Sequence, residues 1–484
     1  MSSGEQQERD PQVPRIARDL TRGSIPRHLV AFSTPMLAGS LLQTAYSLIN
    51  AFWVGKFLGT TALAAVTVSL PAVFVLISVA AGLTLATSIL IAQYVGARDY
   101  PPVKAVVQTS VLLIGGSSLV FLLVGQLLAG RLLHVIETPP DVLPTALPYL
   151  RIFLWTLPLS FGIFLIGSML RGIGDSQTPV DFQTVSVILN AALDPVLMFG
   201  WLGFPKLGLN GTAWATLIAQ IVAVLGLMVY VPARRPLVAP DWRRLRIDSS
   251  IAWLLMKIGF PAMIQQSVVS VSLVVIIKFV SRFGTNADAA FGAAVRIDQV
   301  SFLPALIIGA AISTLAGQNI GAKQYRRVQQ VFWWGLLVSG AISAVISVLV
   351  LTFPGLFLRM FVSDQKVIAI GVGYLRIVGI TYALYAVLFA ANGVINGAGH
   401  TSWTTAFSVI GLWGVRLPLA YVLSRHFHSV RGIWWGMLIS VGVSMALSLA
   451  YYATGGWKRP IVRGLAMAAT AQNAEDAEAG ASHD

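Results

Sequence analysis

The chain carries the same landmarks twice at one fixed spacing. Tyr149-Leu150-Arg151-Ile152 returns as Tyr374-Leu375-Arg376-Ile377. Gln93-Tyr94-Val95-Gly96-Ala97 returns as Gln318-Asn319-Ile320-Gly321-Ala322, and Arg171-Gly172-Ile173-Gly174-Asp175 as Asn396-Gly397-Ala398-Gly399-His400. Each pair is 225 positions apart (374 − 149, 318 − 93, 396 − 171). Long apolar stretches separate the landmarks. A duplicated and fused apolar unit limits the fold to two similar membrane-embedded halves, the usual architecture of secondary transporters.

Composition places the halves in a bilayer. Hydrophobic residues make up 56% of the 484 residues and charged residues 11%, against about 25% charged in soluble domains. Twelve apolar spans are expected, at about 29–55, 62–94, 105–130, 144–170, 179–201 and 208–232, then 252–281, 287–318, 328–354, 367–395, 402–424 and 432–454. The expected fold is therefore all-α and polytopic, with twelve transmembrane helices in two six-helix repeats. Six spans per half is an even number, so both halves enter from the same side. The repeats are then parallel, related by an axis along the membrane normal.

Net charge is +14. The basic residues sit mostly in short loops, so topology explains them better than nucleic-acid binding does. With the N-terminus inside, inside segments hold 19 Lys and Arg and outside segments eight. Both termini are accordingly expected in the cytoplasm of a cell whose plasma (inner) membrane the chain crosses. The expected divisions are a cytoplasmic segment 1–27, an N-terminal lobe 28–232, a linker 233–250, a C-terminal lobe 251–455 and a largely disordered cytoplasmic tail 456–484. Residues 1–27 are polar and the first apolar stretch is long, so no cleavable leader is expected. There is no cysteine, which removes disulfides, thiol nucleophiles and thiolate metal sites.

Several stretches resemble one family. Thr21-Arg22-Gly23-Ser24-Ile25 precedes a span that begins Pro35-Met36-Leu37 and ends Asn50-Ala51-Phe52-Trp53-Val54-Gly55. Leu58-Gly59-Thr60-Thr61-Ala62-Leu63-Ala64-Ala65-Val66, the GQNIGA of 317–322 and the RGIGDSQTP of 171–179 complete the set. Over residues 20–455 this resembles the multidrug and toxic compound extrusion (MATE) family. The resemblance implies two six-helix lobes around a cavity with alternating openings. It also implies antiport, in which inward H⁺ or Na⁺ drives export of organic, often cationic, compounds.

Candidate site residues follow from ionisable groups at membrane depth, which are functional candidates by default. Asn190 and Asp194 lie four apart in the fifth span and share a helix face, and Pro195 follows. Asp194 is the leading cation-coupling residue, and the resemblance implies the same role for this Asn-x-x-x-Asp-Pro pattern. Thr212 offers a neutral oxygen at similar depth, with a bond to its own helix as the bland alternative. Asn50 stands where the family typically carries an Asp. Na⁺ held by Asp194, Asn190 and Thr212 is one reading, on hard-cation chemistry; protonation of a lone carboxylate is the other, and the favoured one. No other metal and no cofactor is expected.

Gln265, Gln266, Arg296, Asp298 and Lys278 are candidates for the substrate cavity. Helix-to-helix bonding is the competing account of the glutamines, and snorkelling that of Lys278. A Lys278–Asp298 pair across the seventh and eighth spans is one further expectation. Asp175 is expected to cap the next helix. No GxxxxGKS sequence is present, so ATP drive has no support. A flippase for a lipid-linked precursor is the alternative, disfavoured because the intramembrane cations are scattered. An integral membrane enzyme would need convergent acids, histidines or metal ligands that the spacing does not supply, so no catalytic residue is assigned. Small-molecule substrates, the lipid bilayer and a monomeric state are expected.

Overall fold

In the computed structural model, residues 18–135, 138–459, 461 and 462 are described. The expected disordered tail falls largely outside them. The first half consists of α1 (Ile25–Trp53), α2 (Gly59–Gly96), α3 (Pro101–Val135), α4 (Leu143–Leu154), α5 (Thr156–Gly172), α6 (Gln177–Phe199) and α7 (Leu209–Arg234). The second comprises α8 (Ser249–Ser281), α9 (Thr285–Gly321), α10 (Tyr325–Thr352), α11 (Pro354–Arg359), α12 (Gln365–Val378), α13 (Thr381–Gly397), α14 (Thr401–Val409), α15 (Leu417–His426) and α16 (Arg431–Thr454). Among the described residues nine helices are long and apolar enough to cross a membrane, and two bent pairs bring the total to 11. With α1, a helix of 29 residues, this is the twelve-helix, two-repeat layout expected from the sequence.

The bent pairs are the fourth and tenth spans, which the sequence reading treats as continuous. Leu143–Leu154 meets Thr156–Gly172 at 41°, and Gln365–Val378 meets Thr381–Gly397 at 41°. The causes are local. Pro158 has no N–H to offer the Leu154 carbonyl. Thr156 Oγ1 donates to the Phe153 carbonyl at 2.6 Å, and its repeat counterpart Thr381 donates to Val378 at 2.6 Å. In the second half Ser347 Oγ also donates to the Gly379 carbonyl at 2.7 Å. Side chains thus take up carbonyls that a straight helix would pair with its own backbone.

The two halves meet at the end that carries the α7–α8 connection, here called the linker end. Their contact repeats the sequence symmetry. Gln93 Nε2 donates to the Gly397 carbonyl at 2.7 Å, and Gln318 Nε2 donates to the Gly172 carbonyl at 2.9 Å. Each glutamine is the other's repeat counterpart, as are the two carbonyls (318 − 93 and 397 − 172 are both 225). Helices α2 and α9 cross beside them at Gly96 and Gly321. A Cβ on Gly96 would lie 1.8 Å from the Gln318 carbonyl oxygen, and one on Gly321 2.0 Å from that of Gln93. Only glycine allows this approach of backbone to backbone.

The first helix of each half reaches into the other half. Leu20, Ile25, Leu29 and Phe32 are buried in a core formed with Ile308, Ile312, Val328 and Trp457. Reciprocally, Ile251, Leu254, Leu255 and Ile258 of α8 join the core of the first half. The segment before α1 is tied down by polar contacts too. Leu20 N donates to Gln318 Oε1 at 3.1 Å, and Arg327 Nη2 donates to the Arg22 and Gly23 carbonyls at 3.0 and 2.8 Å.

Asp175 behaves as expected at the start of α6. Its Oδ1 accepts from Thr178 N at 3.0 Å. Its Oδ2 accepts from Arg235 Nε at 2.9 Å and pairs with Arg235 Nη2 at 2.8 Å, with side chains 5% and 24% exposed respectively. Removing the buried member leaves both a helix end and a guanidinium without partners. Asp175→Ala is therefore expected to cost about 3 kcal/mol. The check is a drop in the thermal unfolding midpoint in detergent, with Arg235→Ala losing less because Arg235 reaches solvent.

Candidate functional site

In the first half the site forms where the end of α1 meets α6 and α7. Helix α1 runs without interruption to Trp53, so Tyr46 and Asn50, four apart, share a face. Helix α6 brings Asn190 and Asp194 to the same place, with Asp194 2% and Asn190 6% exposed. Asn50 Nδ2 donates to Asp194 Oδ2 at 2.7 Å, and the Tyr46 hydroxyl donates to the same oxygen at 2.9 Å. The other carboxylate oxygen, Oδ1, is buried and has no hydrogen-bond partner among the described residues, and the same holds for Asn190 Oδ1. Asn190 is oriented by its amide nitrogen, which donates to Thr216 Oγ1 at 3.1 Å.

Of the four expected residues, Asp194 and Asn50 touch directly. Asn190 lies one helical turn away on α6 and bonds to α7. The Thr212 hydroxyl donates to the Leu209 carbonyl at 2.9 Å, which is the bland alternative considered for it. Tyr46 and Thr216 are the additions. A tyrosine one turn before Asn50 was the available signal for the first; a threonine one turn after Thr212 was the signal for the second.

Chemically, this is a carboxylate with one oxygen saturated and one free. The saturated oxygen takes two donors, so it is poorly placed to ligate a metal ion. The free oxygen and Asn190 Oδ1 are two buried acceptors of the site without a hydrogen-bond partner among the described residues. A single proton needs only one of them.

The candidates of the second half divide. Gln265 Nε2 donates to Ser408 Oγ at 2.8 Å, bonding α8 to α14. Gln266 is exposed, and its carbonyl accepts from Ser270. Lys278 is exposed on α8 and does not pair with Asp298: among the described residues the ion pairs are Arg22–Asp19 and Arg235–Asp175. Asp298 is instead held by tyrosines, which satisfy a carboxylate without introducing charge. Its Oδ1 accepts from the Tyr382 hydroxyl at 2.5 Å, and its Oδ2 accepts from the Tyr374 hydroxyl. Arg296, two residues before Asp298, points away and lies over the Phe361 ring at 6.0 Å. Lys278→Ala is expected to leave transport within about twofold of wild type, since exposed charges contribute little; initial efflux rates from vesicles check this.

Comparison with known proteins agrees with this layout. The MatE family model matches residues 35–196 and again 261–422, one copy in each half. The chain is 34% identical over 456 residues to the probable multidrug resistance protein YoeA of Bacillus subtilis, covering 93% of this chain and 98% of that one. It is 31% identical to the probable multidrug resistance protein YpnP of the same organism, covering 91% and 98%. Among solved structures, a single-residue variant of the Vibrio cholerae MATE transporter VcmN superposes with a TM-score of 0.83 at 24% identity, covering 90% of this chain and 98% of that one. Two copies of the family's helical unit, fused in one chain and matched along nearly its whole length, make this multi-pass membrane protein a member of the MATE family of transporters.

Proposed function

We propose that the protein exports organic, cationic or amphipathic small molecules in exchange for protons, by alternating access between two lobes. The observation that carries the coupling is the Asp194 carboxylate, buried in a span with Oδ2 held by Tyr46 and Asn50 and Oδ1 unpartnered. Such a group has one vacant acceptor for a proton and a fixed orientation from which to take it. The names of the relatives, probable multidrug resistance proteins, support the substrate class. The reciprocal glutamine contacts support alternating access, because they close one end with few bonds that two lobes can break and remake. Both termini are assigned to the cytoplasm from the charge bias of the loops.

The test is reconstitution into liposomes loaded with a fluorescent organic cation such as ethidium. An imposed pH gradient should drive dye movement against the proton flow. An imposed Na⁺ gradient without a pH gradient should not. Dye movement that responds only to Na⁺ sinks proton coupling; indifference to both gradients sinks ion-coupled antiport.

A further inference from the structure

The second half encloses a recess that the coupling reading does not use. Its volume is about 60 Å³, it is partly open, and its lining includes Asp298, Arg416, Phe302, Thr381, Tyr385 and Met437. Arg416 reaches it from an unusual backbone. Between α14 and α15 the chain forms a π-helical stretch, Ile410–Arg416, and such widened turns recur at functional sites. Arg416 Nε donates to Ser440 Oγ at 3.0 Å, and Ser440 in turn donates to the Met437 carbonyl at 2.7 Å. That bond fixes the guanidinium by its Nε, and no hydrogen-bond partner among the described residues occupies its two terminal nitrogens. Asp298, which lines the same recess, is fixed by Tyr374 and Tyr382. Each carboxylate oxygen keeps a second lone pair. The acid and the base share one cavity without forming an ion pair.

We propose that this recess is a substrate subsite for zwitterionic head groups, with an ammonium at Asp298 and a carboxylate at Arg416. The proposal rests on the export reading and names one substrate class for it. Charge balance decides the class. The empty recess holds one negative and one positive side chain. A lone cation would face the guanidinium, a lone anion the carboxylate, and either would leave net charge in a low-dielectric interior. A zwitterion pairs both groups and leaves the net charge at zero. Phe302 and Tyr385, with ring centroids 5.9 Å apart, supply an aromatic wall for an apolar body beyond the head group.

The probes are phenylalanine, its methyl ester and its N-acetyl derivative, which share one ring and differ in charge. Equilibrium binding to the purified full chain in detergent is measured in a mildly acidic buffer, where the ester's amine is protonated. Phenylalanine should bind at least about tenfold more tightly than either derivative, as expected where a polar site loses a partner. Arg416→Gln should erase the preference over the ester and keep that over the N-acetyl compound; Asp298→Asn should do the reverse. Arg416→Lys, which keeps the charge, should retain part of the preference. Wild-type protein that binds all three alike, or binds no phenylalanine, overturns the proposal and leaves a hydrated structural pair. So does an Arg416→Gln protein with undiminished selectivity. Binding needs no gradient, so the two readings fail separately. Lost selectivity with intact dye export removes only the subsite, and lost dye export with intact selectivity removes only the antiport.

Discussion

Asp194→Asn should abolish proton-driven export while leaving the protein folded. The substitution is isosteric. Its amide oxygen can replace Oδ2 and keep the bonds from Asn50 and Tyr46, now 2.7 and 2.9 Å long. Its amide nitrogen then occupies the position of the unpartnered Oδ1. The site becomes permanently neutral, a mimic of the protonated carboxylate that can neither take up nor release a proton. Coupling between linked sites is worth about 5- to 150-fold, so gradient-driven dye efflux should fall by about 100-fold. Thermal stability should not fall, because a neutral side chain costs less to bury than a charged one. The measurement pairs efflux from liposomes with thermal unfolding in detergent. Full transport by a well-folded variant would remove Asp194 from the coupling step.

Gly96→Ala is expected to block the state in which the linker end is closed. The new methyl group would lie 1.8 Å from a backbone oxygen of Gln318. A flexible side chain could move aside; a helix backbone at a crossing cannot do so cheaply. Taking about 3 kcal/mol, the upper end of overpacking costs, the closed population falls by about two orders of magnitude. Gly321→Ala should act in the same way through Gln93, whose carbonyl oxygen would lie 2.0 Å from the added carbon. The chain has no cysteine, so cysteines placed at Asp99 and Gln324 can carry spin labels without background. Electron–electron distance measurements should shift to longer distances in either glycine variant, with transport lost. An unchanged distance distribution would show that the crossing tolerates a side chain and does not control closure.

The repeat, the number of spans and the shared helix face of Asn190 and Asp194 were legible because each is written in local pattern. Hydropathy marks the spans, a fixed offset marks the duplication, and four-residue spacing puts Asn190 beside Asp194 on one face. The rest depends on contacts between distant segments. Tyr46 shares a face with Asn50, yet a tyrosine in an apolar span reads as packing until its hydroxyl is seen to reach a carboxylate 148 residues away. Asp298 is caged by tyrosines 76 and 84 residues further along. Comparison at the 225 offset could not find that cage, because Asp298 maps onto Val73 and Asp194 onto Leu419. Each half does hold a tyrosine-bound carboxylate, but on a different span. The glycines of the two RGIGD-like turns read as permissive turn residues; their carbonyls turned out to be the acceptors for Gln93 and Gln318.

The exchange of first helices between cores has a mechanical meaning. Helix α1 begins in the core of the second half and ends against Asp194 in the first. Helix α8 begins in the core of the first half and continues into the second. Neither half is therefore a free rigid body, and any rotation of one against the other must load these two helices like elastic straps. Each strap has one proline in its interior, Pro35 in α1 and Pro261 in α8, where a missing backbone bond makes bending cheapest. The strap that yields at Pro35 is the same rod that carries Tyr46 and Asn50. Bending it would swing two donors relative to the Asp194 oxygen they hold, so the position of the lobes and the grip on the carboxylate share a single lever.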